Sequence, residues 1–162
     1  MDGTVLELGK AGSSGVEKGV IPVLSGGAVV ATLRASNWKE SATAVVGDRT
    51  WVFGKQSREL TARWEADPED SVRLRACQES FWKGSWTVDL EGILVEVVTA
   101  SWWKGTRRYS AAGQLVAESS TTGGRAMRPA LTPAPQLPLD HAVFLLWIER
   151  VLGRRSAAAA AA

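Results

Sequence analysis

The sequence predicts a mostly β protein: a closed antiparallel β-barrel of repeated hairpins around a hydrophobic C-terminal α-helix. Three observations carry that prediction. Short runs of strand composition follow one another from Ile21 to Glu118, each bounded by turn residues, as in an antiparallel sandwich or barrel. A Trp-Lys unit recurs ahead of turn glycines, which suggests a repeated hairpin. Leu139 to Leu152 is apolar on every side of a helix, and such a helix is surrounded by protein.

The last segment sets the frame. Ala142 through Ile148 are apolar without a break. Pro138 precedes the helix, Asp140 is placed to cap its first turn, and Gly153 follows the last apolar residue. Arg150, Arg154 and Arg155 fall where the negative end of the helix dipole favours cations. At about 1.5 Å per residue the segment spans roughly 20 Å, too short for a bilayer. It is expected to be a core helix over 139–152.

Ahead of it, residues 1–19 are rich in Gly and Ser and are expected to be loose, with a short strand at Val5–Leu8. The runs Ala28–Arg34, Ala42–Val46, Thr50–Gly54, Glu59–Glu65 and Val72–Cys77 read as strands. So do Ser85–Asp89, Ile93–Thr99, Arg107–Ser110 and Gln114–Glu118. In Val72-Arg73-Leu74-Arg75-Ala76 the arginines alternate with apolar residues, the period of a half-buried strand. Val46-Gly47-Asp48, Asp67-Pro68-Glu69-Asp70, Leu90-Glu91-Gly92 and Ala111-Ala112-Gly113 punctuate them as turns. Residues 119–138, with their Ser, Thr, Gly and Pro content, are expected to form a loop into the helix. The barrel domain thus covers 20–153, and 154–162 either form a flexible tail or extend the helix.

The echo is specific to three places. Ser36-Asn37-Trp38-Lys39, Ser80-Phe81-Trp82-Lys83-Gly84 and Ser101-Trp102-Trp103-Lys104-Gly105 are followed by Gly47, Gly92 and Gly113. In each unit the Trp is expected to open a strand and the Gly to turn it back. Closing such hairpins into a barrel removes exposed edges.

Composition narrows the function. Net charge is +2 in 162 residues, so no bulk charge points to nucleic acid. One cysteine, Cys77, excludes an internal disulfide and a cysteine zinc site, and fits a reducing cytoplasm. Arg outnumbers Lys, a bias of GC-rich bacterial genomes. No basic, apolar leader opens the chain and no segment is long enough to span a membrane. Eight Trp is the unusual entry; indole suits barrel interiors, interfaces and membrane surfaces.

Catalytic groups are scarce. His141 is the sole histidine and sits in the first turn of the core helix. Cys77 ends a strand among apolar neighbours and is expected to be a small core residue. Gly47–Lys55 lacks the spacing of a phosphate loop and reads as a hairpin. The acids of Glu65–Asp70 lack the alternation of a calcium loop and read as a solvated turn. Neither a metal, a cofactor nor an enzymatic activity is expected.

A barrel of hairpins followed by one very hydrophobic helix resembles the tubby C-terminal-like superfamily, which includes tubby proteins, phospholipid scramblases and plant LURP-one-related proteins. The likeness rests on Trp82-Lys83-Gly84 with Gly92, on Trp103-Lys104-Gly105 with Tyr109 and Gly113, and on Leu139-Asp140 leading into Ala142–Leu152. It covers residues 20–153 and is one of pattern and order. It implies a closed barrel around a central helix and a non-catalytic binding role. Tubby domains bind phosphoinositide headgroups through basic residues, but none of those residues has a one-for-one counterpart here.

One site is expected from the Trp-Lys units. Lys83, Lys104, Arg107 and Arg108 would gather on one side near an exposed Trp102, with cations on phosphate and indole at the interface. The plainer alternative has the Trp packed in the barrel and the Lys solvated. The partner is then an anionic phospholipid or a protein at the membrane surface, with a cytoplasmic chain peripheral to the membrane. A lipocalin-like barrel carrying a small apolar ligand is the competing expectation; it needs the helix outside and a hollow interior.

Overall fold

The computed structural model describes residues 4–80, 85–101, 104–123 and 127–161. Lys83 and Trp102 of the expected site lie outside the described residues, as do Trp82 and Trp103. Among the described residues twelve strands form one closed antiparallel barrel. In chain order they are β1 (Leu6–Leu8), β2 (Ile21–Ser25), β3 (Ala28–Ala35), β4 (Ala42–Val46), β5 (Arg49–Gln56) and β6 (Glu59–Trp64). Then come β7 (Leu74–Ser80), β8 (Ser85–Leu90), β9 (Ile93–Ser101), β10 (Thr106–Ala111), β11 (Gln114–Thr122) and β12 (Arg128–Pro133). A single helix, α1 (Leu139–Ala161), ends the chain.

Each strand pairs with its chain neighbours, and β1 pairs with β12 to close the ring. The hairpin turns follow from their residues. Glu91 and Gly92 both take positive φ (53° and 99°), as do Ala112 and Gly113 (51° and 80°). Two successive left-handed residues give the turn whose twist matches a right-twisted hairpin. The Asp89 carboxylate accepts the Gly92 N–H at 2.7 Å and fastens the first of these.

Side chains of alternate strand residues fill the interior, and α1 fills the rest. His141 to Leu152 are buried, apart from the half-buried Arg150. Phe53 of β5 lies 5.3 Å from Phe144 and 5.2 Å from Trp147, centroid to centroid, and the two helix rings stack at 6.0 Å. Trp51 and Phe53 are fully buried on β5 behind them. The interior is therefore packed, and the hollow barrel of the competing expectation is not the structure.

Four expectations are corrected. First, residues 119–138 are not all loop. β11 runs on through Thr122, and β12 occupies Arg128–Pro133 despite two prolines. Its partner β1 pairs with Ala130 and Leu131, which lie between Pro129 and Pro133, so the short first strand closes the barrel where β12 keeps its N–H donors. Second, Gly153 does not stop the helix. It takes no left-handed conformation, and the alanines beyond it are the strongest helix formers. Third, Trp38 does not open a strand. It lies in the β3–β4 connection, 95% exposed. Fourth, Cys77 is not in the core. Leu74 and Ala76 point inward, so Cys77 faces outward and is half-buried. Desolvation, then the charges of Glu59 and Glu79, push its thiol up, away from nucleophilic thiolate.

Candidate functional site

Strand alternation sorts the connections onto two ends of the barrel. The helix enters at one, beside the β8–β9 turn, and leaves at the other, beside the β3–β4 connection. Each end carries a built polar cluster.

At the entry end, Asp140 accepts the His141 N–H at 3.0 Å, satisfying one of the free donors of the first helical turn. The buried His141 ring donates from Nε2 to Glu91 Oε1 at 2.9 Å. Arg73 bonds the other Glu91 oxygen and Asp67, both at 3.3 Å. The His141 hydrogen bond is the largest cause holding the Glu91 carboxyl below the usual range, and His141 and Arg73 add charge attraction. The Arg73 and Arg49 guanidiniums sit 3.1 and 3.6 Å from the Trp64 ring centroid, a cation–π arrangement. His141, Glu91, Arg73 and Asp67 thus engage one another in one chain of polar contacts, while the buried Trp64 Nε1 has no hydrogen-bond partner among the described residues. Among the described residues no group of three or more His, Cys, Asp or Glu side chains converges on a point that could hold a metal.

At the exit end the helix emerges beside a groove of about 700 Å³. Its lining brings together cations from distant parts of the chain: Lys104, Arg107 of β10, Arg128 of β12, and Arg150 and Arg154 of α1. Leu8, Ile21 and Met127 give it an apolar side. Glu149 is the sole carboxylate lining the groove among the described residues, and it is already taken. Arg107 donates to its Oε1 at 2.9 Å, and the Tyr109 hydroxyl donates to Oε2. Complete burial, then the Glu149 charge, push the Tyr109 phenol far up, so it stays a donor.

Two of the remaining cations bond main-chain carbonyls. Arg128 donates to the Leu8 carbonyl at 2.9 Å and Arg154 to the Asn37 carbonyl at 3.1 Å. Burial, then the neighbouring charge of Arg154, lowers the Arg150 pKa. Arg150 and Arg154 lie one turn apart on α1 and both line the groove, so an anion there could accept from both guanidiniums.

The expected site is thus partly assembled. Lys104 and Arg107 share the groove. Arg108, the next residue, points to the outer face and pairs with Glu118 at 3.0 Å, because neighbouring strand residues face opposite sides. Sequence reasoning missed Arg128, Arg150 and Arg154 as site residues. The two helix arginines were visible, but their position at a helix C-terminus already accounted for them.

Comparison with known protein families, curated proteins and solved structures finds no match to the chain.

Proposed function

We propose that this chain is a non-catalytic, tubby-like binding barrel that recognises anionic lipid headgroups at a membrane surface. The observation that carries the reading is the exit-end groove, where Lys104, Arg128, Arg150 and Arg154 surround a cavity of phosphate-bearing size with an apolar side. Guanidinium forks suit phosphate oxygens, and the apolar lining suits the glycerol and first methylenes of a lipid. The packed interior supports it too: with Phe144 and Trp147 in the centre, a ligand is left with the mouth. The tubby-like relationship and a place on the cytoplasmic face of a membrane belong to the same proposal.

Co-sedimentation with vesicles tests it. The chain should bind phosphatidylserine-containing vesicles at low salt, ignore phosphatidylcholine alone, and dissociate as salt rises. A basic residue near an anionic surface is worth about 1 kcal/mol, so Arg150→Gln with Arg154→Gln should weaken binding about 30-fold. No binding to anionic vesicles at low salt, or equal binding by the double variant, would refute the reading.

A further inference from the structure

The charges of this nearly neutral chain are separated along the barrel axis. Connections around the helix entry carry Asp48, Glu65, Asp67, Glu69, Asp70 and Glu91, against Arg73 and, from the adjoining strand ends, Arg49 and Arg63. Described connections around the exit carry Lys10, Lys18, Lys39, Arg58 and Lys104, against Glu17 and Glu40. Those two acids are engaged, Glu17 by Arg34 at 3.0 Å and Glu40 by Arg155. The helix then adds Arg150, Arg154 and Arg155 to the exit end. An anionic surface would turn such a molecule so that the exit end faces it.

The same end holds out an indole. Trp38 is 95% exposed, and its loop is built to keep it there. Ser36 Oγ accepts the N–H groups of Trp38 and Lys39 at 3.2 and 3.0 Å, and the Ser36 N–H donates to the Ser41 carbonyl at 3.0 Å. Arg154 fastens the Asn37 carbonyl, and Arg155 grips both oxygens of Glu40. The hydrogen bond from Arg155 is the main cause holding the Glu40 carboxyl below its usual range. The tethered loop thus holds out a large amphipathic ring of the kind that suits a boundary with one side apolar and the other wet. Across the helix exit, Met127 is 68% exposed on the lip of the groove.

We infer that the exit end is a bilayer-docking face: phosphates meet the cations around the helix, and the Trp38 indole enters the headgroup region beside them. Trp at the polar–apolar boundary and cations on anionic headgroups is the usual division of labour at a membrane surface. The inference rests on the headgroup reading above and adds to it an orientation and an inserting residue.

Vesicles of phosphatidylserine with brominated phosphatidylcholine test it by Trp fluorescence. On binding, part of the wild-type emission should be quenched, and Trp38→Phe should remove that quenched part. Trp38→Ala should weaken vesicle binding about tenfold, while leaving inorganic phosphate binding as in wild type. Binding with identical quenching in wild type and Trp38→Phe would overturn the docking face and leave the headgroup reading standing. Failure of the wild-type chain to bind these vesicles would overturn both.

Discussion

Trp147→Ala should destabilise the fold by about 3–5 kcal/mol, lowering the thermal midpoint by roughly 6–20 °C. Trp147 is 1% exposed and packs on Phe53 and Phe144 inside the barrel. Strands close around it on all sides, so the neighbours can collapse only partly into the space that alanine would leave. Thermal unfolding followed by near-ultraviolet circular dichroism checks it. A loss below about 1 kcal/mol would place the ring at a surface that tolerates truncation.

Glu149→Ala should cost a similar amount for a different reason. Glu149 is 5% exposed and receives both Arg107 and the Tyr109 hydroxyl. Removing it leaves a guanidinium whose side chain is 16% exposed without its counter-charge, and a fully buried phenol without its acceptor. Breaking such a pair from one side costs about 3–5 kcal/mol. Replacing both ions together, Glu149→Leu with Arg107→Leu, should recover the part of that loss due to the stranded guanidinium and leave only the Tyr109 hydroxyl without its acceptor. Urea unfolding of Glu149→Leu, Arg107→Leu and the double variant gives the coupling energy. A single Glu149→Ala within about 0.5 kcal/mol of wild type would mean that water already serves Arg107 and Tyr109.

Legibility in the sequence followed how much of each signal is local. Central strands such as Ala42–Val46 matched in full because alternation and flanking turns lie within a few residues. β12 was hidden because its two prolines are strand breakers by composition, and their tolerance depends on β1, which lies far away in the chain. The helix end was hidden for a like reason. Gly153 signals a stop, but contacts to Asn37 and Glu40 support the turns beyond it.

The site divided along the same line. Lys104 and Arg107 are neighbours in sequence and their association was visible. Arg108 falls outside the groove, because the period of a strand turns it away from the side that Arg107 faces. Arg128 reaches the groove from β12, whose prolines give it the composition of a loop. Glu149 follows the apolar run Ala142–Ile148 of the helix, and its buried role becomes visible only when β10 brings Arg107 and Tyr109 to it.

A filled interior is what confines a ligand to the barrel mouth, and native-state hydrogen exchange measures it directly. The amides of Phe144–Val151 should be among the slowest in the chain, exchanging only when the whole barrel unfolds. Exchange of those amides ahead of the central strands, at a fraction of the global unfolding free energy, would show a helix that detaches while the barrel stands. That result would contradict the packed core on which the functional reading depends.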